Sequence, residues 1–410
     1  MRILFLLLIS MALAACDDNM PTSVANQPVS ETADQPILIF GGTILTMDTE
    51  LPTVPAMVIE DGKIAAVGTQ TILTPEYPNA QLYNLDGRTI IPGIIDSHVH
   101  VYQLGAESIK ANLVGTNTVA EMVSRLQTFY PNPAPGEWLV GQGWDEGAWA
   151  SIGYPDRAEL DAAFPDNPVL LQSLHGFPGF YNGAALKAAG VDKTTNDPDV
   201  GQILRRENGE PTGVFLTLAR NLIERHAPPP TLTQVKSAIL AGLRQLSKAG
   251  ITTIHEAGMT PVIMEAFRTL ADEGILPVRV YGLLDGNDHA LMNRMFKAGP
   301  IIDSEGFFSV RGIKVFYDGS LGSRTALLHA PYSDKSEEAH PTERISIGGV
   351  FSLAEQAAKH GFQMAVHTIG DEGNDRILNV YRSALAHFPP QDHRWRLEHA
   401  QVVLPNYYEQ

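Results

Sequence analysis

The chain predicts an α/β fold with a parallel sheet, and three observations carry that prediction. Strand-like and helix-like segments alternate from residue 90 onward, an order that requires parallel pairing with helices outside the sheet. The run Ile90-Ile91-Pro92-Gly93-Ile94-Ile95-Asp96-Ser97-His98-Val99-His100 is apolar strand material ending in two histidines. Spaced i, i+2, their side chains leave a strand on the same side. Ahead of this run lies a block of short strand candidates separated by turn residues. In a (β/α)8 barrel, reactive groups collect at the C-terminal ends of the strands, and that is where both histidines fall.

The first residues are not fold. Arg2 precedes an apolar run, Ile3 to Met11, followed by Ala12-Leu13-Ala14-Ala15-Cys16. A positive start, a run too short to span a bilayer and small residues at its end describe an export leader. Leu13-Ala14-Ala15-Cys16 resembles a bacterial lipoprotein box. That resemblance implies a leader over 1–15, cleavage before Cys16, acylation of Cys16 and a lipid anchor facing the periplasm or the cell exterior. Cys16 is the only cysteine of the chain, so no disulfide framework competes for it. Residues 16–35 are rich in Asp, Asn, Pro, Ser, Thr and Gln and lack apolar periodicity, which predicts a flexible tether.

Residues 36–89 predict a small β unit. Pro36–Met47, Ala56–Glu60, Lys63–Val67 and Gln81–Leu85 are strand candidates, with Asp61-Gly62 as a hairpin turn. The segment is too short to stand alone. From residue 90 to 410, strands are expected at Thr89–Asp96, Ile251–Glu256, Val278–Leu284, Val310–Phe316, Phe362–His367 and Trp395–His399. Helices are expected at Leu232–Ala249, Val262–Glu273, Leu353–His360 and Gly373–Ala386. The interval 101–230 breaks this rhythm and contains two further strand-like runs, Trp138–Gly143 and Val169–Leu174. It reads as an insertion after the first strand, over the C-terminal mouth of a barrel, where loops carry function.

Composition narrows the partners. The chain is 44% hydrophobic and 18% charged, with a formal net charge of −17. The first two figures describe a globular protein with a large core. The third, with no basic stripe, excludes nucleic acid, because phosphate backbones are bound by clustered Lys and Arg.

Three more candidates for chemistry sit at strand ends. Lys314 lies in Val310-Arg311-Gly312-Ile313-Lys314-Val315-Phe316, an apolar setting for an ammonium. Burial depresses the pKa of a lysine and frees its amine, which then takes up CO2 to become an anionic carbamate. The same lysine also reads as an ion-paired or snorkelling side chain. His367 closes Phe362–His367 and His399 closes Arg396–His399. Each alone reads as a structural histidine; together, His98, His100, Lys314, His367 and His399 end strands of one sheet, and in a barrel those ends meet in one bowl.

At these residues the chain resembles the amidohydrolase superfamily, and within it the amidohydrolase-3, YtcJ-like group. "IIPGIIDSHVH" is similar to the family's first-strand motif, "AGITTIHEAG" to its second, "IKVFYDGSLGSRTA" to its fourth, "AVHTIGDEGND" to its fifth and "RLEHAQ" to its sixth. The resemblance runs from about residue 37 to the end. It implies a TIM-type (β/α)8 metal-dependent hydrolase barrel, about six strands of it present, with a small N-terminal β-sandwich subdomain. It also implies one or two divalent metals, usually zinc. His98 and His100 would hold the more buried ion, Lys314 as a carbamate would bridge two, and His367 and His399 would hold the second. "GQGWDEGAW" and "SLHGFPGFYNGAAL" resemble segments lining the substrate pocket, which makes Trp144, Asp145 and His175 substrate-binding candidates. Asp318 follows Lys314 by four; it would order the lysine or meet substrate, or serve as a turn residue.

The implied reaction is hydrolysis of a carbon–nitrogen bond other than a peptide bond, in a small amide, an N-substituted formamide or an acylated amine, by metal-activated water. One family part has no counterpart. The Asp that ends the family's eighth strand and shuttles the proton is absent, as are strands 7 and 8, so the chain reads as truncated and no catalytic base is assigned. Two alternatives follow: a lipid-anchored protein that binds metal or ligand without turnover, and a deaminase-type relative. Such relatives are usually mononuclear and do without a fourth-strand lysine, so Lys314 speaks against the latter.

Overall fold

The computed structural model describes residues 35–409 apart from 146, 148–152, 175–177, 199–200, 304–305, 323, 334–338 and 390–391. The leader and Cys16 therefore lie outside the described residues, as does His175. The chain divides into two compact units at Pro92/Gly93.

The first unit is a five-stranded sheet made of β1 (Ile37–Leu45), β2 (Thr53–Glu60), β3 (Lys63–Gly68), β4 (Gln81–Asn84) and β5 (Thr89–Ile90). Asp61 and Gly62 both have positive φ, 50° and 71°, the backbone that matches the twist of a two-residue hairpin; Glu60 pairs with Lys63 across it. Alternate residues of β1 serve opposite faces. Leu38 packs with Ala56, Val58 and Leu73, whereas Ile39 packs with Val54, Met57 and Leu85. Leu73 lies on a short helix, Gln70–Glu76, where the sequence reading had only strands.

The second unit opens with β6 (Ile94–Val99). Between β6 and the next barrel strand the chain builds a separate six-stranded sheet: β7 (Ala111–Asn112), β8 (Leu139–Trp144), β9 (Val169–Ser173), β10 (Pro178–Tyr181), β11 (Gln202–Arg205) and β12 (Pro211–Leu216). Its order is β11-β12-β10-β9-β8-β7. The barrel then resumes with β13 (Ile251–Met259), β14 (Arg279–Asp285), β15 (Phe308–Phe316), β16 (Gln363–Thr368) and β17 (Arg396–His399).

The six barrel strands pair in parallel in the order β6-β13-β14-β15-β16-β17. The result is an α/β fold with a nearly closed parallel barrel, as the alternation of elements requires. Helices Leu232–Lys248, Pro261–Asp272, His289–Ala298, Ile347–His360 and Asp371–Leu385 provide its outer layer. The helix His289–Ala298 has a signal the sequence reading passed over: Asp288 accepts a hydrogen bond from Leu291 N, and Leu291, Met292 and Met295 form its buried stripe. The first of the five helices starts on a capping box between Thr231 and Gln234. Strand and helix side chains such as Val235, Ile254, Phe267, Val310, Val366 and Ile377 form one continuous core.

Directly after His100 the chain turns into the short helix Val101–Ala106, which packs against Leu232–Lys248 at two glycines. A Cβ on Gly105 would lie 1.7 Å from Ala238 O, and one on Gly242 2.6 Å from Val101 O. No rotamer relieves a clash with a backbone oxygen. Gly105→Ala is expected to destabilise the chain by about 3 kcal/mol, the upper range for overpacking, read as a lowered urea midpoint.

Candidate metal centre

The strand ends do converge. The rings of His98 and His100 lie 5.4 Å apart, those of His98 and His399 5.0 Å, and those of His367 and His399 4.6 Å, centroid to centroid. The first two are close because His98 lies near the end of β6 and His100, directly after it, is two positions on. Pairing of β16 with β17 sets Thr368 beside His399 and His367 beside Glu398. Strand alternation alone would send Glu398 and His399 to opposite sides. The backbone of His399 instead enters the left-handed region, φ 75°, followed by Ala400 at 40°. This departure from the strand leaves Glu398 buried while the His399 ring lies beside those of His98 and His367, at a backbone cost of about 1–2 kcal/mol per non-glycine residue.

Lys314 completes the group. It is fully buried in β15, its Nζ has no hydrogen-bond partner, and its ammonium lies 4.8 Å from the centre of the Phe316 ring. Burial lowers its pKa to about 8; Glu398 opposes that fall and Arg396 adds to it. Burial likewise lowers His100, His367 and His399. His399 falls furthest, to about 4, because His367, Lys314 and His98 all disfavour another positive charge there. At neutral pH these imidazoles are uncharged, the form that ligates metals.

Hydrogen bonds fix how the rings are presented. His367 Nε2 lies 2.9 Å from Gly319 O. A carbonyl oxygen only accepts, so Nε2 carries the proton and Nδ1 keeps its lone pair. His98 Nδ1 meets the carboxylate of Glu398, and burial raises the Glu398 pKa less than that bond and Arg396 lower it.

These donors suit a divalent ion of the zinc type. Two imidazoles on one tetrahedral ion with metal–nitrogen distances of about 2 Å have ring centres about 5 Å apart, which is the spacing seen. A buried lysine amine with no hydrogen-bond partner, close to these imidazoles, suits a carbamate ligand. As they stand, no three His, Cys, Asp or Glu side chains among the described residues close tightly enough to hold an ion.

The remaining sequence candidates behave differently. Trp144 is a correction: it is fully buried in the core of the insertion, its ring 6.0 Å from Phe180 and its Nε1 donating to Leu171 O at 3.3 Å. It has no surface left for a substrate. An aromatic residue at a strand end reads equally as pocket wall or core, and only burial separates the two. Asp145 is half-buried and accepts a hydrogen bond from Gly147 N at 3.0 Å. Asp318 is likewise buried with no substrate-facing surface. Its carboxylate accepts from Leu327 N, Ile369 N and Gly370 N at 3.1, 2.9 and 3.0 Å, so it orders the two loops that flank His367.

Sequence reasoning missed Glu256, Arg396 and His255. His255 and Glu256 are polar residues inside a strand, the same signal that singled out Lys314, whereas Arg396 opens the short polar strand Arg396–His399 and carries no such signal. Glu256 accepts from Val101 N at 2.7 Å, at the start of the helix that follows His100. Burial raises its pKa to about 8, against smaller opposing effects of the Val101 and Tyr102 amides. An acid raised above its ordinary value of 4.5 stabilises the fold fully below that value, and the contribution is lost as pH climbs toward 8. Glu256→Gln is therefore expected to flatten the decline in stability between pH 5 and 8, worth about 4 kcal/mol for such a shift, in denaturant titrations across that range.

Comparison with known proteins places this geometry. The profile described as the amidohydrolase family matches residues 81–410. The chain is 32% identical over 376 residues to the YtcJ protein of Bacillus subtilis, covering 88% of this chain and 68% of that one. It is 27% identical over 383 residues to the N-substituted formamide deformylase of Arthrobacter pascens, covering 90% and 69%. The chain thus spans about two thirds of the length of these relatives. A metal-dependent hydrolase of Pyrococcus furiosus superposes with a TM-score of 0.75 at 24% identity, over 91% of this chain and 74% of that one, which shows the shared fold.

Proposed function

The chain belongs to the amidohydrolase family, and from that premise we propose that it hydrolyses a carbon–nitrogen bond in a small non-peptide amide, an N-substituted formamide or an acylated amine. The observation that supports this most is the gathering of four imidazoles near a buried amine with no hydrogen-bond partner. His98 and His100 would hold one ion and His367 and His399 a second, with Lys314 between. A divalent metal of the zinc type, when bound there, lowers the pKa of a coordinated water and polarises an acyl oxygen.

The chain's own residues prepare that chemistry. Burial favours the neutral form of His100, His367 and His399, so no proton has to leave before these three donate. Lys314, with a pKa near 8, holds an appreciable free-amine fraction at neutral pH. That amine adds CO2, forming an N–C bond and releasing one proton, and the carbamate supplies a negative charge where burial would otherwise hold an unpaired positive one. Asp318 holds the backbone just past His367 and, through Leu327 N, the loop that carries Gly319, whose carbonyl oxygen meets His367 Nε2. The relative acting on N-substituted formamides supports the substrate class.

The test is metal analysis together with a panel of N-substituted formamides and acylated amines. Stoichiometric metal with chelator-sensitive amine release supports the proposal. Bound metal without amine release across the panel would make the chain a metal-binding protein instead. No helix among the described residues is long and apolar enough to cross a membrane. We further propose attachment to a membrane through a lipid on Cys16, which detergent-dependent fractionation and its loss in Cys16→Ala would test.

A further inference from the structure

The two end strands of the barrel, β6 and β17, share no backbone ladder; side chains join them. Arg396 donates through Nη1 to Ser97 O at 3.2 Å and lies 2.7 Å from His255 Nδ1. Its Nη2 is 2.9 Å from Glu398 Oε1, while Glu398 Oε2 meets His98 Nδ1. The proton positions in this row follow from the chemistry of its members. A guanidinium has no acceptor, so His255 Nδ1 accepts and its proton sits on Nε2. A carboxylate, its charge balanced by Arg396, only accepts. His98 therefore carries its proton on Nδ1, and its lone pair is on Nε2.

We propose that Glu398, clamped by Arg396, is a positioning residue: it fixes His98 in the Nδ1–H form and thereby presents Nε2 to the metal. This rests on the metal-centre reading above. A neutral imidazole chooses its tautomer by the hydrogen bond its other nitrogen makes, and a carboxylate behind a ligating histidine also raises that ligand's basicity. The same contacts explain why Glu398, 6% exposed and next to His399, is not a ligand: one oxygen is taken by His98 and the other by Arg396. A clasp that merely held two strands together would not need this proton arrangement, since Arg396 already reaches Ser97 O.

The test uses the full chain and two readouts. The first is the nitrogen chemical shifts of His98 in the metal-free protein, assigned by loss of the signal in His98→Gln. The second is zinc affinity by competition with a chromophoric chelator. Wild type is expected to show Nδ1–H at His98. Glu398→Gln, whose amide offers a donor to Nδ1, is expected to shift His98 toward Nε2–H and weaken zinc binding about 10- to 100-fold. Glu398→Asp should recover part of the affinity, which also serves if Glu398→Gln does not fold. Unchanged zinc affinity in both variants, or Nε2–H in the wild type, overturns the inference. A wild-type chain that shows Nδ1–H yet takes up no zinc would overturn the metal-centre reading while leaving the tautomer assignment standing.

Discussion

Replacing Lys314 with methionine should make the metal-free chain more stable and leave it unable to fill its metal centre. The two halves of this result come from one fact: an ammonium fully buried without a hydrogen-bond partner. Its folded pKa, about 8, lies below the ordinary lysine value of 10.5. The penalty is complete below pH 8 and relieved only as pH rises from 8 toward 10.5. At pH 7 it amounts to about 3 kcal/mol. Methionine has a similar length, no charge and a thioether that suits apolar surroundings, so part of that penalty is expected back as stability. Denaturant titration in chelator gives the sign, and metal analysis of the same variant gives the stoichiometry, which should fall by at least one ion. A variant less stable than wild type would mean that the amine has a partner in solution, and the carbamate assignment would fail with it.

Asp318→Ala should have the opposite effect on stability. The carboxylate is buried and accepts from three backbone amides. Alanine leaves all three without an acceptor in a place water does not easily reach, at about 1–3 kcal/mol each. A total loss of about 4 kcal/mol or more is expected, measured as the denaturant midpoint, with a milder loss for Asp318→Asn, which retains one acceptor oxygen. Two of the amides belong to Ile369 and Gly370, just past His367, and the third to Leu327, in the loop that begins at Gly319. The same substitution should therefore weaken metal binding, because the oxygen that holds His367 Nε2 moves with that loop. Together the two variants separate a group kept for chemistry at the expense of stability from one kept for stability that serves chemistry indirectly.

The barrel was legible because most of its parallel strands read as apolar runs, and because four of the six runs carry, at or near the C-terminal end, a residue out of keeping with them: His100, Lys314, His367, His399. The hairpin at Asp61-Gly62 was legible for the same local reason. Much of the insertion was not. β7 is two residues long and β10 begins with proline, and neither gives a periodicity to detect. The β11–β12 hairpin does carry a turn signal, Asn208-Gly209, with Gly209 at φ 84°. The polar row from Ser97 to His255 was invisible because its members are up to 300 positions apart, and a strand end with φ 75° at His399 cannot be read from a pattern of alternation.

That separation has a consequence in time. His98 and Glu398 are made 300 residues apart, on the order of half a minute of synthesis. Throughout that interval β6 leaves the ribosome with Ile94 and Ile95, both largely uncovered even in the finished fold, and with no neighbour on its outer edge. On the proposed metal-centre reading the set of imidazoles is incomplete until His399 is made, so the nascent chain passes through an intermediate with an unpaired strand edge that favours aggregation, and any slowing of elongation before that point lengthens its exposure.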